Sequence, residues 1–140
     1  MRPLAHLFTS TIIAIALYPI FGWKVIFVIA GGVLIDMDHY LWYVFKYRNF
    51  NVFDCYKYYI DGLDKEKYKK NLGIVLVFHT IEFLLLMIFL SFYSKLSLLF
   101  VIGLLAHYLL DFIAIYSLAG RLIANHSIFS WIYKNKIQKV

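Results

Sequence analysis

Four long apolar runs, 4–20, 25–45, 72–93 and 96–118, leave this chain few choices of fold. The second is about as long as the roughly 20 residues that a bilayer core requires. A segment in lipid must satisfy its backbone internally, which leaves helices or a closed barrel. Barrel strands alternate apolar and polar residues, and these runs do not. The expectation is therefore an all-α polytopic membrane protein with about four transmembrane helices. Its 140 residues form a single integral membrane domain. Composition agrees: 63% of residues are hydrophobic and 16% charged, against about 45–50% and about 25% in soluble domains. A fold this small cannot cover so much apolar surface in water.

The punctuation between runs is readable too. Tyr18-Pro19 followed by Gly22 ends the first run in a turn. Only Ser94 and Lys95 separate the last two runs, so they form a tight helical hairpin. The first run lacks a small-x-small cleavage site and reads as a retained helix. The segment 46–71 mixes cations and carboxylates with Tyr56, Tyr58 and Tyr59, the pattern of an amphipathic segment at the interface. A substrate-binding lid is the weaker alternative. The tail 121–140, with Ile128, Phe129, Trp131 and Ile132 before Lys134, Lys136 and Lys139, reads as a second interfacial segment.

Charge sets the orientation. With the N-terminus in the cytoplasm, four spans place Arg2, seven cations of the 46–71 loop, and Arg121, Lys134, Lys136 and Lys139 inside. Only Lys24 and Lys95 fall outside. The positive-inside bias thus puts both termini of a multi-pass cell-membrane protein in the cytoplasm. The formal charge of +6 flanks apolar runs, so membrane lipids are the expected partners and nucleic acid is not. The single cysteine, Cys55, makes neither an intrachain disulfide nor a thiolate metal cage, and reads as a loop residue.

Eight ionisable residues sit inside the apolar runs: His6, Asp36, Asp38, His39, His79, Glu82, His107 and Asp111. Each costs roughly 3 kcal/mol in a span even on the gentlest scale. Asp36/His39 and His79/Glu82 are three apart, and His107/Asp111 four apart, so each pair shares a helix face. With the orientation above, all eight fall within roughly 20 Å of the cytoplasmic boundary at 1.5 Å per residue. Face and depth together predict one shared polar site. A mixed imidazole and carboxylate set suits a divalent metal, zinc foremost, with manganese or iron as alternatives. The metal would supply the countercharge that buried carboxylates lack, and the ligand count allows two ions, which together clamp a phosphoryl group. Bland readings stand beside these. His6 reads equally as ligand or as hydrogen-bonded packing, and His126 in the tail reads as structural. Asp38 points about 200° away from the Asp36/His39 side of a regular helix. It is then a supporting group, or a cap if the helix breaks at Gly31-Gly32. A proton relay would use similar residues.

These residues also carry a resemblance. His6, Gly31-Gly32-Val33-Leu34-Ile35-Asp36-Met37-Asp38-His39, Phe78-His79-Thr80 and Ala106-His107-Tyr108-Leu109-Leu110-Asp111 occur in an order that resembles the YdjM-like group of small LexA-binding, inner-membrane, metal-dependent hydrolases. The resemblance implies metal or catalytic roles for His6, Asp36, Asp38, His39, His79, His107 and Asp111. The chain has Ile35 where the group commonly has proline before the first aspartate. It has His79-Thr80-Ile81-Glu82 where the group often has Thr-His-Ser, which makes Glu82 a candidate particular to this branch. The order is also similar to that of zinc-dependent phospholipases C, by analogy alone.

The leading expectation is a membrane-embedded metal-dependent hydrolase of a lipid or other membrane-associated phosphoester. His6, Asp36, His39, His79, His107 and Asp111 would bind metal, and Asp38 or Glu82 would serve as ligand or general base. The alternative is a small transporter or proton/ion conductor using the same cluster. A protein with no chemistry would leave eight buried ionisable groups without a purpose. Four short helices leave room for a second copy to complete the enclosure, so a homodimer is compatible with either reading.

Overall fold

The structure, a computed structural model, describes residues 3–61, 76–119 and 127–133. The described residues are helical nearly throughout and contain no strand. Helix α1 spans Pro3–Phe21. Proline suits its first turn, where a missing N–H costs nothing. Gly22 follows with a φ of 55°, in the left-handed region that favours glycine. A 3-10 turn, Gly22–Val25, then leads into α2, Ile26–Val33. Helix α2 packs back against α1, so the chain reverses at this turn.

The expected helix 25–45 is interrupted. A second 3-10 turn, Leu34–Asp36, separates α2 from α3, Met37–Tyr47. The break lies just after Gly31-Gly32, and it changes the phase of every side chain beyond it. Arg48 closes α3 in the left-handed conformation, with its N–H donating to Val44 O at 2.8 Å. Asn51 Oδ1 then accepts from Phe53 N at 2.9 Å and starts α4, Val52–Asp61. This helix occupies part of the expected interfacial loop; 62–75 lie outside the described residues.

The expected helix 72–93 is shorter than its apolar run. Residues 76–80 enter through a 3-10 turn, Val77–His79, and Thr80 adopts an extended φ/ψ of −95°/153°. The Thr80 hydroxyl accepts from Phe83 N at 3.4 Å and caps α5, Ile81–Ser91. At 1.5 Å per residue, α5 is about 16 Å long, half of a bilayer core. The hairpin turn falls at Phe92–Ser94, and α6 runs Lys95–Ala119. Of the expected tail, the short helix α7, Ile128–Ile132, is described; 120–126, including His126, and 134–140 lie outside.

Helices α1, α2 and α6 form the centre of the bundle, with α5 against α6. Glycine makes the crossing close. A Cβ on Gly31 would lie 2.1 Å from the Phe100 carbonyl oxygen, and one on Gly103 would lie 2.0 Å from that of Val28. Beside this crossing, Ala14, Val25, Val28 and Leu99 form an apolar core. Outward faces carry exposed Leu4, Phe8, Ile15, Trp23, Phe89 and Leu109. Among the described residues, two segments are long and apolar enough to cross a membrane, by length and composition: the run Pro3–Tyr47 and Lys95–Ala114.

Candidate metal centre

Seven of the eight nominated ionisable residues converge. His6 comes from α1, and Asp36 ends the 3-10 turn before α3. Asp38 and His39 lie in the first turn of α3, and His79 ends the turn before α5. His107 and Asp111 lie one turn apart on α6. His6, Asp38, His107 and Asp111 are buried.

Two histidines define the centre. His107 Nδ1 lies 2.8 Å from the Gly32 carbonyl, which can only accept, so Nδ1 carries the proton. His79 Nδ1 lies 3.0 Å from Asp38 Oδ2, an acceptor when ionised, and donates in the same way. Each ring then turns an Nε2 lone pair inward, and the two Nε2 atoms are 3.2 Å apart. Two lone pairs repel at that distance, so either a proton on one nitrogen or a cation between them relieves the contact. Asp111 Oδ2 lies 3.3 Å from His107 Nε2 and 3.5 Å from His79 Nε2. Asp36 Oδ1 lies 3.7 and 3.8 Å from the same two atoms. Tetrahedral ligands with bonds of about 2.0–2.1 Å stand about 3.3–3.4 Å apart, close to this spacing.

The remaining members extend the cluster on either side. His6 Nε2 is 3.3 Å from Asp111 Oδ1, and the His6 ring stacks on His107 with centroids 4.0 Å apart. His39 Nε2 is 3.7 Å from Asp36 Oδ1. Three overlapping sets could each hold a metal ion: His6/His107/Asp111, Asp36/His79/His107 and Asp38/His39/His79. Among the described residues, buried polar atoms without a hydrogen-bond partner are His6 Nδ1, Asp36 Oδ1, Asp38 Oδ1 and both ring nitrogens of His39 at the cluster, and Glu82 Oε2 away from it. Buried polar atoms are normally paired. A proton on His79 Nε2 would relieve the His79–His107 contact and leave these others unmatched, whereas cations can serve many of them at once.

Asp38 corrects the sequence reading. It does not face away from the centre: its Oδ2 accepts from both His79 Nδ1 and Phe78 N, each at 3.0 Å, in a supporting role to His79. Glu82 goes the other way. Its Oε1 accepts from Ser127 Oγ at 2.6 Å and from Phe129 N at 3.4 Å, so it fastens α7 and joins none of the metal-capable sets.

Three supporting groups were not anticipated. The Gly32 carbonyl fixes the His107 tautomer. The Tyr108 hydroxyl donates to Phe78 O at 2.6 Å and anchors the turn bearing His79. The Tyr59 hydroxyl donates to His39 O at 3.1 Å, with its ring centroid 4.8 Å from that of His39. Burial pushes the Tyr59 phenol up from its ordinary range, so it remains a donor. Adjacency to His107 was the available signal for Tyr108; Tyr59, twenty residues from His39, gave none. No family model, curated protein or solved structure matches the chain.

Proposed function

We propose that this chain is a membrane-embedded, metal-dependent hydrolase of a lipid or other membrane-associated phosphoester. The observation that carries the proposal is the 3.2 Å approach of His79 Nε2 and His107 Nε2, with each Nδ1 proton committed elsewhere. His79, His107, Asp36 and Asp111 would hold the cation, with zinc preferred by the imidazole and carboxylate donors. A divalent metal bound there would supply Lewis acidity and a water nucleophile at neutral pH.

The chain's own groups do the rest. Asp38 orients the His79 ring, and the Gly32 carbonyl orients His107, the supporting arrangement common around metal-bound imidazoles. Burial of His107 and Asp111 by α1 and α2 keeps bulk water from that side. Asp38 Oδ2 thus positions His79, and Glu82 lies outside the chemistry.

The bundle would cross the cell membrane four times, using α1, α2 with α3, α5 with its preceding turn, and α6. Both termini and α4 would be cytoplasmic, in keeping with the charge bias, and the resemblance to the YdjM-like group agrees with this placement. Lys24→Cys and Lys57→Cys should then label from opposite faces of sealed vesicles.

The activity test is hydrolysis of mixed phosphate mono- and diester lipids in micelles by the purified chain. Activity should vanish with a chelator, return with Zn2+ or Mn2+, and be absent in His107→Ala. Chelator-resistant hydrolysis, or none with any phosphoester by metal-loaded protein, would count against the proposal.

A further inference from the structure

One divalent cation does not compensate the cluster. Asp36, Asp38 and Asp111 bring three carboxylates, while imidazoles coordinate as neutral ligands. A dication between His79 and His107 leaves one formal negative charge among largely buried side chains, and uncompensated buried charge is costly.

His6, with Nδ1 unpartnered, stands on the Asp111 side of the centre, and the other unused donors stand on the opposite side. His39 stands beyond Asp36, its Nε2 3.7 Å from Asp36 Oδ1. Neither His39 nitrogen has a hydrogen-bond partner, and Asp38 Oδ1 has none either, although its neighbour Oδ2 is engaged twice. The Asp38 side chain is only 9% exposed. The donor atoms of Asp38, His39 and His79 fall within 4.8 Å of one another. His79 Nδ1 is committed to Asp38, which leaves His39, Asp38 Oδ1 and Asp36 as the free donors.

We infer that the centre takes two divalent cations, one between His79 and His107 and a second on His39 and Asp38, with Asp36 as the carboxylate shared between them. The inference rests on the metal-centre reading above and deepens it. Two dications against three carboxylates make the centre net positive, which suits an anionic phosphoester. Two ions bridged by one carboxylate can contact both the attacking and the leaving oxygens of a phosphoryl group. The His39 side chain is 13% exposed, like His79 at 12%, against 0% for His107. Tyr59 on α4 lies against His39, so substrate would approach from the side of α3 and α4.

The test uses the full chain in detergent micelles, stripped of metal and titrated with Mn2+. Bound ions are counted, and the electron paramagnetic resonance spectrum is recorded at saturation. Wild type should bind two Mn2+ per chain and give the broadened spectrum of a coupled pair. His39→Ala should bind one and give the sharp six-line spectrum of an isolated ion. His39→Gln serves in the same way if the alanine variant does not fold. One ion per chain in wild type and variant alike would overturn the second position and leave the central ion standing. No binding by folded wild type would overturn both.

Discussion

His79 and His107 come from different elements and face each other through Nε2 atoms 3.2 Å apart, because each spends its Nδ1 proton on another acceptor. Neither ring can rotate to relieve the approach without breaking a buried hydrogen bond. Every group that holds these rings in place therefore helps to set this approach, and under the proposal above the affinity for a cation.

Tyr108 is one such group. Its hydroxyl bonds to Phe78 O and, more weakly, to Thr80 O at 3.3 Å, pinning the turn that presents His79. Tyr108→Phe removes a hydrogen bond worth about 1 kcal/mol, so Zn2+ affinity should fall about fivefold. Asp38→Asn, which disturbs the His79 tautomer directly, should lower it by about 10–100-fold. Competition with a chromophoric chelator measures both. Equal, unchanged affinities would remove these residues from the centre's support.

Glu82 provides the opposite case. Its carboxylate accepts from Ser127 Oγ and Phe129 N at the start of α7. Glu82→Gln should leave metal content unchanged and raise hydrogen exchange across 127–133 by roughly tenfold, as a charge-assisted bond is lost. Loss of metal from this variant would return Glu82 to the centre.

That contrast shows what the sequence could convey. The pair His107/Asp111 was legible because it lies on regular helix, where about four residues make one turn, and it stands 3.3 Å apart; Asp36/His39 spans the junction of the 3-10 turn and α3, where the backbone stays near-helical, and stands 3.7 Å apart. His79 and Glu82 have the same spacing but straddle Thr80, whose extended backbone starts a new helix and turns the two apart. Asp38 was misplaced because its partners, His79 and Phe78 N, come from the turn before α5, and spacing within one helix does not show where another element packs. The long apolar runs 4–20 and 96–118 gave α1 and α6 closely. The run 72–93 could not reveal that only Ile81–Ser91 would be continuous α-helix among its described residues, because hydrophobicity does not mark a cap inside an apolar run.

The close helix crossing makes its own prediction. Gly31→Ala would drive a Cβ against the Phe100 backbone of α6, which cannot swing aside as a side chain could. Overpacking of this kind costs roughly 1–3 kcal/mol, and the displacement would also move the Gly32 carbonyl from His107. Thermal unfolding in detergent should show a lower midpoint and weaker metal binding together. Gly22→Ala has no atom within 4 Å of its added Cβ and strains only a φ of 55°. It should lower the midpoint while leaving metal affinity intact.

Cys55 reports on the seating of α4. It is 6% exposed, and burial pushes its thiol up from the usual range. The thiolate is the reactive form, so a higher pKa means less of it at neutral pH. Maleimide labelling at neutral pH should be at least about tenfold slower in folded than in denatured protein. Tyr59→Phe, which frees α4 from the His39 carbonyl, should accelerate it. Equal rates folded and denatured would mean that α4 does not rest on α3.

X-ray absorption at the zinc edge, on the full chain loaded with Zn2+ in micelles, addresses the centre most directly. The expected result is nitrogen and oxygen ligands at about 2.0–2.1 Å, with the outer-shell scattering of imidazole rings, diminished in His107→Ala. Folded protein that retains no zinc, or zinc bound without imidazole, would contradict a cation held between His79 and His107.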